Sequence, residues 1–209
     1  MSASDRRPLK VRSAGWAGAF AARVSRSGIS ANAISVMGIV FAALGAWLLW
    51  TAPGPWAFAL AAVAIQLRLL CNLFDGMVAV EGGKAQPTGV MFNEFPDRLE
   101  DVMFLVAAGY ACGSERLGWA CGVLAVMTAQ ARSFNAVVEQ AQDFGGPMAK
   151  PQRMALLTLA CLLTAVLFSW EHVAWILRGA LWIILIGAAL TWGLRLSRMA
   201  SGLEDQAKQ

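Results

Sequence analysis

Six long apolar segments constrain this chain more than any other feature of its sequence. They cover about residues 30–50, 56–71, 98–112, 119–138, 154–170 and 173–194, and short polar or turn-forming stretches separate them. With 58% apolar and only 14% charged residues, the chain lies beyond the usual composition of soluble proteins. Long apolar segments of this kind are typical of helices that cross a bilayer. We therefore expect an all-α integral membrane protein with six transmembrane helices.

Polar tails lie at both ends of the chain, outside the predicted membrane domain. Residues 1–12 form a polar, basic tail, and residues 199–209 form a polar C-terminal tail. Between the first tail and the first span, residues 13–27 place Trp16, Phe20 and Val24 at intervals of four. That pattern predicts an amphipathic helix lying in the membrane interface, with an ordinary linker as the alternative. Residues 28–198 then form the six-helix membrane domain.

The basic residues predict how the spans are oriented. Six spans place both termini on one side, and of the 17 arginines and lysines only Arg116 and Arg178 fall on the other side. The positive-inside rule then places both termini in the cytoplasm, with the protein in a plasma or inner membrane. The net charge of +4 is too small to argue for a nucleic-acid partner, and no interleaving of aromatic and basic residues supports one.

A polar stretch at residues 72–98 interrupts the apolar pattern between the second and third spans. Six residues at helical spacing line two faces, one on each side of a short loop: Asn72, Asp75 and Ala79, then Gly89, Asn93 and Asp97. Two such faces can meet across a helix pair. The stretch therefore predicts a site for a cation or a phosphate at the cytoplasmic edge of the membrane.

The residue types in this stretch indicate which cations it suits. Carboxylate and amide oxygens without thiolate or histidine partners favour the hard cations Mg²⁺, Mn²⁺ and Ca²⁺. His172 is the only histidine, and the four cysteines lie in or beside apolar runs, as small buried residues do. A cation beside a pyrophosphate neutralises charge in phosphoryl transfer, while a carboxylate takes a proton from the attacking alcohol.

Four basic residues on the same side are candidates for binding phosphate. Arg68 lies four residues before Asn72, so it is a phosphate ligand, the partner of an acid, or an arginine whose head reaches the membrane edge. Arg132, Lys150 and Arg153 can bind a phosphate on a substrate. The alternative for these three is attraction to anionic lipid headgroups.

The polar stretch resembles the signature of the CDP-alcohol phosphatidyltransferase family, D-x2-D-G-x2-A-R-x8-G-x3-D-x3-D. The matching positions are Asn72, Asp75, Gly76, Ala79, Val80, Gly89, Asn93 and Asp97. The start of the first span, Gly28-Ile-Ser-Ala-Asn32-Ala-Ile-Ser35, is also similar to the family's G-[IL]-[ST]-P-N-x-[IL]-[ST] segment. Together with the six spans, the resemblance covers nearly the whole chain.

The resemblance implies an enzyme of phospholipid biosynthesis, often a homodimer surrounded by membrane lipids. It implies transfer of a phosphatidyl group from CDP-diacylglycerol to a small alcohol, plain or phosphorylated, with release of CMP. One or two Mg²⁺ or Mn²⁺ ions, or Ca²⁺ as a non-productive occupant, would lie among Asn72, Asp75, Asn93 and Asp97, and Asp97 would also be the general base. The implied nucleotide-binding residues are Gly76, Ala79, Gly89, Arg68 and Asn32. The implied ligands of an acceptor phosphate are Arg132, Lys150 and Arg153.

Three positions depart from the family signature. Asn72 and Asn93 stand where the family has aspartates, and Val80 stands where it has an arginine. The four candidate metal ligands therefore carry a formal charge of −2 rather than −4, which compensates two adjacent dications less well. The candidates for a replacement carboxylate are Asp101, Glu81 and Glu94.

Two other functions stay open from the sequence. The acid-to-amide changes are compatible with a non-catalytic relative that binds a nucleotide-lipid or a partner protein through the same groove. A small transporter could instead use Arg68, Asp75 and Asp97 as a membrane charge relay. The predicted position of these residues at the end of the spans, rather than at mid-membrane, argues against the transporter.

Overall fold

The computed structural model describes residues 28–51, 54–81, 89–138 and 142–208, together with Gly15, Gly18, Ala19 and Arg23. The helices in the continuous ranges are α1 (Ala31–Thr51), α2 (Pro55–Glu81), α3 (Gly89–Ala111), α4 (Glu115–Val138), α5 (Lys150–Val166) and α6 (Ala174–Gln206). No strand occurs in the described part of the chain. The all-α prediction is therefore confirmed.

Four of these helices are long and apolar enough to cross a membrane, judged by length and composition: α1, α2 over Pro55–Ala79, α4 and α6. The other two fall short, because α3 carries the charges of the polar stretch and α5 has only 17 residues. Large apolar side chains are exposed on the outer faces of the helices, including Trp47, Trp182 and Ile186. An apolar exterior of this kind suits contact with lipid. An integral membrane protein is supported, while the count of six spans stays a prediction.

The predicted interfacial helix at residues 13–27 lies largely outside the described residues. Gly15, Gly18, Ala19 and Arg23 have helical backbone. The apolar residues on which the prediction rests, at positions 16, 20 and 24, lie outside the description. The interfacial helix therefore stays a prediction.

A side-chain cap precedes the first turn of α1. The side-chain oxygen of Ser30 accepts a hydrogen bond from the backbone N–H of Ala33 at 3.1 Å. This bond satisfies one of the N–H groups that a helix leaves without a partner in its first turn. The first helix therefore begins directly after Ser30.

Several helices extend beyond the apolar segments, among them α5 at its start and α6 at its end. The fifth helix begins at Lys150, four residues before the fifth apolar segment, and Pro151 lies in its first turn, where proline has no N–H to leave unsatisfied. The sixth helix continues to Gln206, so most of the polar tail at residues 199–209 is helical. Polar side chains do not stop a helix whose backbone groups bond to one another.

Two glycines let α1 pack closely against its neighbours. Gly38 and Gly45 are both buried, and because they are seven residues apart they lie on one face of α1. A Cβ atom added at Gly45 would lie 2.6 Å from Cε1 of Phe104 and 2.8 Å from Cβ of Ala64. The backbone of α1 therefore contacts α2 and α3 directly, as small residues allow in membrane helix pairs.

The helix packing gathers the polar side chains at one end of the bundle. Helix α1 packs on α2 and α3, α4 packs on α3 and α6, and α5 packs on α2 and α6. At the opposite end, the ring of Trp50 lies 6.2 Å from the ring of Tyr110, between the last turns of α1 and α3. Between the two ends lies an apolar core that includes Ile65, Phe104 and Leu181, all fully buried. The end of α2 and the starts of α3 and α5 therefore share one region, which contains the polar stretch.

Replacing Gly45 by alanine is expected to destabilise the fold by about 1–3 kcal/mol, because the added methyl group overlaps Phe104 and Ala64. Thermal unfolding of the purified protein in detergent should show a lower midpoint. Gly179→Ala is the matched control, since nothing lies within 4 Å of its added Cβ, and its midpoint should equal or exceed that of the wild type. A Gly45→Ala protein that unfolds at the wild-type temperature would contradict the close packing of α1.

Candidate active site

The two polar faces predicted for α2 and α3 meet. Nδ2 of Asn72 on α2 donates a hydrogen bond to Oδ1 of Asp97 on α3. The same nitrogen donates to Oε2 of Glu100, one turn further along α3, at 3.3 Å. The first and last positions of the signature are therefore in direct contact across the helix pair.

The second signature position, Asp75 on α2, contacts helix α1. Its carboxylate is 3% exposed and accepts a hydrogen bond from the hydroxyl of Ser35 at 2.7 Å. The backbone N–H of Gly76 donates to the other carboxylate oxygen. Ser35 ends the segment of the first span that is similar to the family's, and these contacts give that serine a physical role. It satisfies a buried carboxylate that would otherwise cost free energy.

A network of buried charges lies beside this contact, formed by Arg68, Glu100, Asp101 and Arg153. Nε of Arg68 lies 2.6 Å from Oε2 of Glu100, and Nη2 of Arg68 pairs with Oδ1 of Asp101. Nη2 of Arg153 lies 2.8 Å from Oδ2 of Asp101. The two positive and two negative charges compensate one another, and all four residues are buried. This network joins α2, α3 and α5.

The network also decides among the interpretations of Arg68. Its side chain is 0% exposed, so it does not extend to the membrane edge. Besides its two acid partners, Nη2 donates to the backbone carbonyl of Asp97 at 3.2 Å. Arg68 therefore pairs with two acids in this structure, and it also holds the backbone of Asp97 by a hydrogen bond.

Arg153 is likewise directed into the protein. Its Nη1 donates to Oγ1 of Thr128 at 3.0 Å and to the carbonyl of Met148 at 3.1 Å. Its Nη2 donates a hydrogen bond to Asp101. The guanidinium group therefore contacts α3, α4 and the segment before α5. These contacts support a structural role for Arg153 rather than the predicted contact with an acceptor phosphate.

Arg132 and Lys150 lie nearer to the surface. Nη2 of Arg132 lies 2.6 Å from Oε1 of Glu94, and its guanidinium lies 5.6 Å from the ring centroid of Phe144. Lys150, the first residue of α5, pairs through Nζ with Oδ1 of Asp97. Their side chains are 21% and 25% exposed, so both can reach a ligand. Lys150 is the predicted phosphate ligand that directly contacts the predicted base.

Two of the three candidates for a replacement carboxylate, Asp101 and Glu94, pair with arginines rather than with Asn72. Asp101 lies between two arginines, and Glu94 pairs with Arg132 and, at 3.1 Å, with Arg98. The side chain of Glu81 lies outside the described residues. The role of Glu81 as a replacement carboxylate stays a prediction.

Glu100 is the carboxylate that the sequence analysis missed. It contacts Asn72, the position at which the family has an aspartate, and its Oε1 would lie 2.8 Å from a Cβ atom at Gly38. Gly38 therefore leaves the space that this carboxylate fills against α1. The available signal was its position three residues after Asp97, which places both on one helix face.

The positions implied for the nucleotide lie at the same end of the bundle. Gly76 and Ala79 are half-buried in the last turns of α2, and Gly89 is the first residue of α3. Asn32 lies half-buried in the first turn of α1. The backbone of Asn93 lies in α3, one turn before Asp97, and its side chain lies outside the description. The roles of all five stay predictions.

The oxygen donors fit one divalent cation by their chemistry, but they are engaged with other groups. Asp75, Asp97 and the amide oxygen of Asn72 are hard donors of the kind that Mg²⁺ and Mn²⁺ prefer. Among the residues that the structure describes, no group of three or more acidic, histidine or cysteine side chains is arranged to hold a metal ion. Beside Asp97, the positive charge is the ammonium group of Lys150. A cation would bind there after that ammonium moves away.

Replacing Arg68 by methionine is expected to destabilise the protein by about 3–5 kcal/mol, because Glu100 and Asp101 would keep buried charges without this partner. Thermal unfolding in detergent measures the loss. Arg198→Met is the control, since its pair with Asp143 is 54% exposed on the arginine side and should contribute less than about 1 kcal/mol. Equal effects of the two substitutions would show that the buried network does not stabilise the fold.

The fold of the chain is similar to that of solved structures of one protein. No family model and no curated protein matches the chain. Solved structures of the phosphatidylinositol phosphate synthase of Mycobacterium tuberculosis do match. The form with CDP-DAG bound has a TM-score of 0.72 at 17% identity and covers 89% of this chain and 94% of its own. The form with manganese and citrate has a TM-score of 0.71 at 16% identity, covering 88% of each chain. The apo form has a TM-score of 0.67 at 16% identity, covering 86% and 93%. The chain therefore has the fold of this membrane-lipid synthase over nearly its whole length.

Proposed function

We propose that the protein is a CDP-alcohol phosphatidyltransferase of phospholipid biosynthesis. It moves the phosphatidyl group of CDP-diacylglycerol to the hydroxyl of a small alcohol and releases CMP. The observation that carries this proposal is the contact between Asn72 and Asp97, the two ends of the signature, across α2 and α3. The fold of a synthase whose structure was solved with CDP-DAG bound supports it.

The bond changes assign a task to Asp97. The alcohol oxygen forms a bond to the phosphorus that carries the diacylglycerol, and the bond from that phosphorus to the oxygen of CMP breaks. The hydroxyl proton passes to the carboxylate of Asp97, which is about one-fifth exposed and therefore reachable by the alcohol. The backbone carbonyl of Asp97 is held by buried Arg68, which limits movement of the base.

A bound divalent cation, Mg²⁺ or Mn²⁺, would neutralise negative charge on the diphosphate of the substrate. Asn72, Asp75 and Asp97 would hold it, with Asn93 as a further donor from α3. The synthase structure solved with manganese and citrate supports a divalent cation in the proposed reaction. Ca²⁺, which accepts the same oxygen donors in looser geometry, is expected to bind without supporting turnover.

The nucleotide end of the substrate would lie along the last turns of α2. Gly76, Ala79 and Gly89 carry little or no side chain, so a ligand can approach the backbone closely there. Asn32, at the start of α1, would contact the same end. Arg68 would act on the nucleotide through Asp97 and Glu100, which it holds, because its own side chain is buried.

The acceptor would enter beside α5 and the end of α4. Arg132 and Lys150 are the partly exposed basic groups there, and they suit an acceptor that carries a phosphate. Arg153 would contribute by fixing the start of α5 through its bond to Met148. The acceptor is a small alcohol. If Arg132 and Lys150 bind the acceptor directly, it carries a phosphate group.

Exposed tryptophans and the distribution of basic residues support an orientation in the membrane. Trp50, Trp56, Trp119, Trp170 and Trp175, at the end opposite to the site, are exposed and suit a membrane interface. Most basic residues lie on the site side, which supports a cytoplasmic active site with both termini on that side. A homodimer surrounded by lipid is the expected assembly.

Replacing Asp97 by asparagine is expected to lower CMP release by at least about 100-fold, because the proton acceptor is lost. The assay contains purified protein, CDP-diacylglycerol, Mg²⁺ or Mn²⁺ and a panel of small alcohols and their phosphates. Asp205→Asn, in the exposed last turn of α6, is the matched control and should retain wild-type turnover.

The absence of CMP release from the wild type with every metal and acceptor would overturn the enzymatic proposal. Cytidine-nucleotide binding that persists in chelator without turnover would instead identify a non-catalytic binding protein. In that case, turnover by the double variant Asn72→Asp/Asn93→Asp would show that the fold is competent and only its set of ligands is reduced.

A further inference from the structure

We propose that Lys150 is a built-in counter-ion of Asp97, and that one divalent cation enters the site in exchange for its ammonium group. The inference rests on the proposed function, since it concerns the cation of the same site. It makes Lys150 a residue that controls cation binding, in addition to its expected contact with phosphate.

The first observation is the saturation of one oxygen atom. Oδ1 of Asp97 accepts a hydrogen bond from Nδ2 of Asn72 and also pairs with Nζ of Lys150. A carboxylate oxygen offers about two lone-pair directions, so both donors together occupy this atom. A metal ion that binds Oδ1 must displace one of them, and a metal ion that binds Oδ2 of the same carboxylate would still lie close to the ammonium group, which repels it. The ammonium carries the charge that repels the ion, and it lies at the end of a flexible four-carbon chain.

The second observation is the charge balance around Lys150. Its ammonium interacts electrostatically with Asp75, Glu100 and Asp101 as well as with Asp97. Those four carboxylates are opposed by the two buried arginines of the network, Arg68 and Arg153. Without the lysine these six groups have a formal charge of −2, which one dication neutralises. Together with the lysine, the dication would leave an excess positive charge, and two dications would leave a larger one.

The third observation is the freedom of Lys150 to leave. It is the first residue of α5, its side chain is 25% exposed, and Arg153 and Met148 fix the helix start without involving it. The ammonium can therefore swing towards solvent while α5 stays in place. Once displaced, it is available to a phosphate group of the substrate, so cation binding and anion binding should assist each other.

The test measures Mn²⁺ binding to the purified protein in detergent without substrate, by electron paramagnetic resonance of the free ion. Lys150→Met should bind Mn²⁺ at least about fivefold more tightly than the wild type, because a repelling charge beside the ion is removed. The stoichiometry should be one ion per chain. Lys208→Met, which removes the same charge from an exposed site in the C-terminal segment, should leave the affinity unchanged.

A measurement on the wild type makes the test independent of how the variant folds. Acylation of lysine side chains by a small reagent, followed by mass spectrometry, should increase several-fold at Lys150 when Mn²⁺ is added and stay constant at Lys208. Unchanged or weaker Mn²⁺ binding by a folded Lys150→Met protein overturns the inference. So does Lys150 acylation that Mn²⁺ leaves constant or reduces.

The two proposals can fail separately. A wild-type protein that releases CMP while Lys150→Met binds Mn²⁺ no more tightly disproves only the exchange. A wild-type protein that neither binds a cytidine nucleotide nor releases CMP disproves the proposed function, whatever the Mn²⁺ titration gives.

Discussion

The buried pairing of Arg68 and Arg153 with Glu100 and Asp101 is the interaction on which the polar end of this molecule depends. Four charges buried among helices are tolerated only when they satisfy one another, and removing one partner leaves the others at high cost. The network joins α2, α3 and α5, the helices that carry the candidate site. Through the bond from Arg68 to the backbone of Asp97, it also fixes the predicted base. The geometry of the candidate site is therefore a consequence of the way these helices are held together.

The change from aspartate to asparagine at position 72 has a physical meaning in this arrangement. Nδ2 of Asn72 donates to both Asp97 and Glu100, so the amide bridges two carboxylates. An aspartate at that position would bring a third negative charge to the same place and would require more positive charge nearby. With the amide at 72 and Lys150 beside Asp97, the site is close to neutral before any metal binds. In the proposed reaction, the altered signature would lower the number of cations that the site needs, and it keeps the two aspartates that this reaction uses.

Much of the fold followed from the sequence, because apolar segments and residue spacing determine helices directly. Helical spacing placed Asn72 and Asp97 on two polar faces that can meet, and the two residues are in contact in the structure. The all-α architecture is confirmed, and the chain has the fold of the synthase structures over most of its length. These features depend on residues that are near one another in sequence or that share a motif.

The partners of the charged residues could not be predicted in the same way. Whether Arg153 faces a substrate or Asp101 depends on how α5 packs against α2 and α6, and sequence spacing does not specify that packing. The same limit hid the contact between Lys150 and Asp97, which are 53 residues apart. Glu100 was missed because Asp101 follows it directly, and only the rotation of α3 decides which carboxylate faces Asn72.

The most direct test of this account is an experimental structure with CDP-diacylglycerol and Mn²⁺, in which anomalous scattering locates the metal. We expect a single Mn²⁺ peak between Asp75 and Asp97, the diphosphate of the nucleotide-lipid beside it, and the ammonium of Lys150 withdrawn from Asp97. A nucleotide bound elsewhere, or a site without Mn²⁺ in which Lys150 still contacts Asp97, would contradict the account.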